Sequence, residues 1–423
     1  MLLMAVIIVA TILIGMPVSF AMLTGALAYF ITSGTSLNIY VQQMVVQMSG
    51  SFSLLAVPFF MLAGTIMNSG GIARRIFRFC DALIGYVPGG LAHANVLASV
   101  VFAGMSGSAI ADTGGLGAIE LKAMKEAGYD DEFSCAVTGM SSCIGPIIPP
   151  SIGLVLYGMM AELPVVRLFA AGIVPGILMA VIMMVIIYIT AKKRNYPVSK
   201  KFSAKEKWEI FKDAFLSLMC PVILLAGTLT GVFSATEASV VCCVYSIIVG
   251  LIYKELKLSD LPELFIQTMR STAMIMTLVC GSLVFGAVLT YEYFPQTVAT
   301  FFISRVSDGV PMLFVITICT LIAGMFMDPT AITLILTPVY LPVCKALNID
   351  LVAVGIILAI SGVMGLTTPP VGNILYVLQE FTGVPVLRIS KEMIPYYIGF
   401  ILLLVLLIFF PAIATFIPTL VFG

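Results

Sequence analysis

Four short stretches of this 423-residue chain place oxygen-bearing and helix-breaking residues inside apolar sequence. They are GMSGSAIADTGG (Gly104–Gly115), GPIIPPSIG (Gly145–Gly153), GMFMDPTAIT (Gly324–Thr333) and GLTTPPVGN (Gly365–Asn373). Proline removes an amide donor and obstructs the carbonyl one turn earlier, and glycine admits backbone angles that other residues avoid. Each stretch therefore frees carbonyls and amides that hydrocarbon cannot satisfy, so it must be buried in protein or line a wet site. Freed carbonyls with Ser, Thr or Asp oxygens suit a hard monovalent cation. Freed amides at half-helix N-termini suit a carboxylate.

The expected pairing joins each Gly-rich break to the Pro-Pro break that follows it. The first pair supplies Ser106, Ser108, Asp112, Gly145, Pro146 and Ser151 as candidate Na+ ligands. The second supplies Asp328, Thr330, Thr333, Gly365, Thr367 and Thr368. The substrate anion is expected between them, against Ser106, Gly107, Ser108, Ser151, Thr330, Thr368 and Asn373. A carboxylate within a membrane span is a functional candidate by default. For Asp112 and Asp328 the competing interpretation is a helix cap or a bond to a nearby amide. Glu237 opens a span after Ser234-Ala235-Thr236 and is expected to be an N-terminal helix charge, not a ligand.

The elements that must position these stretches are transmembrane helices. Hydrophobic residues make up 61% of the chain and charged residues 10%, against about 25% charged in soluble domains. Mean hydropathy is +1.14. Many apolar runs approach the ~20 residues that a helix needs to cross hydrocarbon, such as Leu2–Ile31, Leu168–Ala191 and Ile398–Val421. Ten-residue alternation is absent, which excludes an outer-membrane barrel. No GxxxxGK[ST] loop, no HExxH and no basic-aromatic patch of the kind that binds nucleic acid is present, so ATP hydrolysis, zinc proteolysis and nucleic-acid binding have no support. Cys residues such as Cys220, Cys242 and Cys243 lie in apolar runs and are expected to pack as small hydrophobes.

An internal repeat organises the spans. Gly104-Met105 recurs as Gly324-Met325, and Pro149-Pro150 as Pro369-Pro370, both 220 residues on. Each half runs span, span, amphipathic arm, interrupted hairpin, and span broken at Pro-Pro. The expected fold class is an all-α polytopic membrane protein with two inverted-topology repeats. The first occupies 1–191, with a re-entrant hairpin at about 92–126 and a broken helix at about 131–160. The second occupies 233–423, with a hairpin at about 309–345 and a broken helix at about 350–380. Residues 192–232 form a basic loop and a linker span, and arms are expected at about 71–87 and 254–269. Repeats with discontinuous helices at matching positions point to the binding site of a secondary transporter.

Lysine and arginine set the orientation. The densest run, Lys192 to Lys212, is expected to be cytoplasmic by the positive-inside rule. Trp208, the single tryptophan, falls in that stretch and suits the headgroup boundary. Treating the two Gly-rich stretches as hairpins leaves Arg167, Arg305 and Lys345 outside and the other 18 of the 21 basic residues inside. The N-terminus is then cytoplasmic and the C-terminus periplasmic.

These residues resemble the large membrane subunit of tripartite ATP-independent periplasmic (TRAP) transporters. The similarity spans the chain through LIGMPVSFAM (Leu13–Met22), VPFFMLAGTIMNSGGIARR (Val57–Arg75), FAGMSGSAIAD (Phe102–Asp112), AGYD (Ala127–Asp130), IGPIIPPSI (Ile144–Ile152) and GLTTPPVGNILY (Gly365–Tyr376). The resemblance implies Na+-driven import of an organic acid, C4-dicarboxylate or sialic-acid-like, across the bacterial inner membrane by an elevator of scaffold and transport domains. It also implies two partners, a small four-span membrane subunit and a periplasmic substrate-binding protein. The rival expectation is a stand-alone Na+–carboxylate symporter or anion exchanger of related fold. A channel lacks a charge ring or a repeated filter stretch, and an enzyme lacks a paired nucleophile and base.

Overall fold

Glycine and proline positions divide the apolar runs, and the resulting pieces pack into one helical body. The structure is a computed structural model and describes residues 2–199, 201–294, 297, 300 and 309–423. Arg305 lies outside the described residues. Among those described, every regular element is helical.

The opening run is two helices, α1 (Leu2–Leu13) and α2 (Val18–Thr32), where one span was expected. Gly15 at φ +94° and Pro17 turn the chain between them. α3 (Leu37–Gly50), a 3-10 turn (Phe52–Leu55) and α4 (Ala56–Ser69) follow. The first arm is α5 (Ile72–Ile84); it buries Ile72, Ile76, Phe77 and Cys80 and exposes Arg74 and Arg78. The first interrupted stretch is α6 (Gly90–Ser106), α7 (Ala109–Gly114) and α8 (Leu116–Glu126). The first Pro-Pro span is α9 (Asp131–Ser142) and α10 (Ile152–Ala161), and α11 (Val165–Arg194) leads to the basic loop.

α12 (Ala204–Leu229) and α13 (Ala235–Ile252) both open on capping boxes, Ser203 with Glu206 and Ser234 with Glu237, and Glu237 lies in the first helical turn as expected. The second arm is not a separate element. α14 runs unbroken over Leu261–Tyr291, so the expected arm at 254–269 is a turn followed by the first turns of this helix. After Pro262, where proline is tolerated at a helix start, no proline interrupts the segment. Then come α15 (Gly309–Gly324), α16 (Pro329–Ala346), α17 (Leu351–Gly365), α18 (Asn373–Thr382), α19 (Val386–Phe409) and α20 (Ala412–Phe422). α9, α10 and α11 recur in order as α17, α18 and α19, 220 or 221 residues later.

Among the described residues, seven helices are long and apolar enough to cross a membrane: the 3-10 turn with α4, and α11, α12, α13, α14, α16 and α19. Burial sorts the helices. α17 is buried at every residue from Ala353 to Gly365, and α9 from Phe133 to Ser142. A helix apolar all round belongs in the interior, as α17 does; α9 is buried although it carries Ser134, Thr138, Ser141 and Ser142, and each of the two leads into a Pro-Pro break. α1 and α2 close a peripheral cluster with α14, through Met4, Ala26, Phe30, Val284 and Val288. α11 turns Ile177, Val181, Val185 and Ile189 outward, as a lipid-facing side requires.

Candidate transport site

Each interrupted stretch lies against the Pro-Pro break of its own half. α6 ends at Ser106, and Gly107 at φ +61° reverses the chain. Gly107 is pressed so close to the first break that a β-carbon there would stand 2.7 Å from the Pro150 carbonyl. A side chain would meet both this wall and an unfavourable backbone angle. Ser108 then caps α7, accepting from the Ala111 amide at 3.4 Å. The second pair is equally tight: a β-carbon on Gly365 would stand 2.3 Å from the Gly324 carbonyl carbon. The Gly372 amide donates across to the Met325 carbonyl at 3.1 Å. Both Pro-Pro bonds, 149–150 and 369–370, are cis.

The trailing helices cross over. α7 of the first hairpin packs on α18 after the second break, and α16 of the second packs on α10 after the first. Inside, the Cys143 thiol donates to the Val363 carbonyl at 3.5 Å, joining α9's break to α17. All four broken segments therefore converge.

In the first pair the structure brings Ser106, Gly107, Asp112, Gly145 and the Pro149-Pro150 turn together. Ser106 Oγ donates to Asp112 Oδ1 in a short hydrogen bond. Asp112 is 1% exposed, and its Oδ2 has no hydrogen-bond partner. That oxygen lies over Gly145, whose added β-carbon would stand 2.3 Å from it. A buried carboxylate oxygen without a donor is costly unless a proton or cation meets it. The arrangement offers an acid oxygen, a serine hydroxyl and freed carbonyls, which is a hard-cation donor set. Ser151 is wholly buried and caps α10 by accepting from Leu154 N at 3.2 Å, and Pro146 is half-buried.

The second pair is built differently. Asp328 is half-buried and caps α16, accepting from the Thr330 amide at 2.8 Å. It thus occupies the place that Ser108 holds in the first half. Thr367 and Thr368 both donate to the Met364 carbonyl, at 2.9 and 2.8 Å. The Thr367 carbonyl in turn accepts a short bond from the Tyr397 hydroxyl on α19. Thr333 is buried on α16, and Asn373 opens α18 half-buried.

Sequence reasoning passed over several buried polar groups. Asn95 on α6 donates to Thr138 at 2.8 Å and accepts from Ser141 at 2.6 Å, fastening α6 to α9. Glu120, 1% exposed, lies within electrostatic reach of Asp112 and leaves Oε1 unpartnered. Asn68 on α4 presses against Gly115, and its Oδ1 is also unpartnered. The available signal was polar residues recurring on one helix face within apolar sequence, as Thr138 and Ser141 do.

Broken helices converging in a buried, oxygen-lined centre, within a body of seven span-length helices, define a polytopic membrane transporter. The tripartite ATP-independent periplasmic transporter, DctM component, model matches residues 5–413, and the chain belongs to that family. It is 39% identical to the sialic acid TRAP transporter large permease protein SiaM of Vibrio cholerae, covering 97% of this chain and 96% of that one. It is 36% identical to the C4-dicarboxylate TRAP transporter large permease protein DctM of Pseudomonas aeruginosa, covering 94% and 93%. The crystal structure of the Alcanivorax borkumensis YdaH transporter shares the fold, with a TM-score of 0.67 at 15% identity and 88% of each chain covered.

Proposed function

We propose that this chain is the large membrane subunit of a Na+-coupled importer for an organic acid anion, C4-dicarboxylate or sialic-acid-like. A periplasmic binding protein delivers the cargo, and a small four-span membrane subunit completes the complex in the inner membrane. Repeats 1–191 and 233–423, inverted by the linker at 192–232, set the two hairpins into the bilayer from opposite faces. The N-terminus is cytoplasmic and the C-terminus periplasmic. One Na+ sits at each hairpin–break pair and the anion between the tips.

One observation carries this reading: the unpartnered Asp112 Oδ2, wholly buried and aimed at Gly145 where the first hairpin meets its Pro-Pro break. Na+ supplies the charge that this oxygen lacks, orders the tip and exposes amides to the anion. The loaded hairpins and broken helices then move as a body against the outer helices. Ser106, Asp112 and the Gly145 carbonyl hold the first ion; Thr367, Thr368 and the Gly365 carbonyl hold the second.

The test is uptake into proteoliposomes containing this chain and its small subunit, with the binding protein outside. Accumulation of a labelled organic acid that needs both an inward Na+ gradient and the binding protein is expected. Equal accumulation with K+ in place of Na+ overturns the coupling. Equal accumulation without the binding protein overturns the tripartite reading in favour of a stand-alone symporter.

A further inference from the structure

We infer that α5 and the first turns of α12 form a binding site for an anionic phospholipid of the cytoplasmic leaflet. The two helices pack side by side, and their shared surface carries aromatic rings and cations together. The rings form a connected cluster. Trp208 stacks on Phe211 with centroids 5.5 Å apart, and Phe211 also meets Phe79 of α5 at 5.8 Å and Phe215 at 5.7 Å. Trp208 is 56% exposed, and Tyr86 in the turn after α5 is 48% exposed. Such rings, apolar in body and polar at the tip, settle at headgroup depth.

Cations lie against these rings. Lys201 and Lys207 place their ammonium groups 5.9 and 5.3 Å from the Tyr86 ring, and Lys212 places its own 5.5 Å from Trp208. Lys205 and Arg78 are exposed on the same two helices. These five differ from the neighbouring Arg74 and Arg75, which pair with Glu255 and Asp213. No ion pair is formed by the five among the described residues. Lys205, Trp208 and Lys212 follow three- and four-residue steps, so they lie along one face of α12.

Along α12, Lys205 and Lys207 precede Trp208 while Phe211 and Phe215 follow it toward the apolar end, an order that suits a phosphodiester headgroup and its acyl chains. Charge complementarity favours an anionic lipid over a zwitterionic one, because each lysine or arginine near an anionic surface contributes a separate favourable increment. The exposed aromatic cluster favours lipid over an acidic protein segment, which would leave those rings uncovered. The ring contacts hold the lysine stems in place before the headgroup arrives.

Trp208 is the only tryptophan, so its fluorescence reports on this surface alone. The full chain is reconstituted in phosphatidylcholine vesicles with one-tenth of the lipid replaced by brominated phosphatidylglycerol or brominated phosphatidylcholine. Each is normalised to its unbrominated counterpart. Selective binding predicts at least about twofold stronger quenching by the brominated phosphatidylglycerol. The triple variant K205Q/K207Q/K212Q, checked for the wild-type thermal unfolding profile, is expected to equalise the two lipids. Equal quenching in the wild-type chain overturns the inference, as does selectivity that survives the triple variant. Loss of selective quenching on adding the purified small subunit overturns it in favour of a protein partner on this face.

Discussion

Asp112 and Asp328 are the acids nearest the hairpin breaks, and they are held in different ways. Asp328 caps a helix start and remains half-exposed, while Asp112 is buried with one oxygen bonded to Ser106 and the other unpartnered. Their substitutions should therefore separate. Asp112→Asn replaces the acceptor that a cation needs, so the Na+ concentration for half-maximal uptake should rise on the order of tenfold, about 1.4 kcal/mol. Uptake that keeps the wild-type Na+ dependence would remove Asp112 from the ion site. Asp328→Ala should cost about 1 kcal/mol of stability through the lost cap. If its thermal unfolding falls while its Na+ dependence is unchanged, Asp328 is a cap alone. Tyr397→Phe releases the Thr367 carbonyl from its donor. A loss of about 1 kcal/mol in unfolding, with Na+ affinity weakened several-fold, is expected if that carbonyl is positioned for the second ion. Asp112 and Asp328 were both visible as candidates in the sequence. Which of them is a cap was not, because that depends on where α7 and α16 begin to the residue. Tyr397 was invisible, since its partner lies across a helix boundary 30 residues away.

At the scale of elements, closeness of backbones is the constraint. Gly365 and Gly324 lie so near that alanine at 365 cannot fit without parting the second hairpin from its break. Gly365→Ala should cost about 1–3 kcal/mol, read as a lowered unfolding temperature together with lost uptake. Gly153, whose nearest neighbour to an added β-carbon is Ser151 Oγ at 3.8 Å, supplies the control. Gly153→Ala should leave both readouts near wild type. The sequence marked both glycines as parts of breaks, and only the packing of α15 on α17 distinguishes them. The same limit explains two misjudged elements. Gly15 and Pro17 split the first run, yet hydropathy alone runs straight through them. The expected second arm vanished into α14 because amphipathic character does not prevent a helix from continuing into an apolar span.

For the whole molecule the question is energetic. Moving one charge through 100 mV is worth ~2.3 kcal/mol, and a tenfold gradient adds about 1.4 kcal/mol. Under the proposed coupling, two Na+ ions would supply up to roughly 7 kcal/mol, enough for a substrate ratio on the order of 10⁵. Charge carried by the substrate anion offsets part of the voltage term. Accumulation in proteoliposomes should accordingly collapse when the Na+ gradient is dissipated, with the membrane potential clamped. Accumulation that persists there rejects Na+ as the driving ion. Topology has its own check. Single cysteines introduced near the N-terminus and near residue 420 should react with impermeant reagents from opposite sides of the membrane.

Composition, the Gly and Pro punctuation and the 220-residue recurrence were enough to reveal a polytopic helical membrane protein and to mark the four segments that break its helices. Those are local properties: a proline lacks its amide wherever it is placed, and an apolar run seeks hydrocarbon in any fold. Contacts between distant segments were decided by the tertiary structure alone. It set Asp112 Oδ2 over Gly145, carried α7 onto α18 and α16 onto α10, and left Asp328 as a cap. Pairing depends on which surfaces fit one another at van der Waals distance, and that fit is a property of the packed chain.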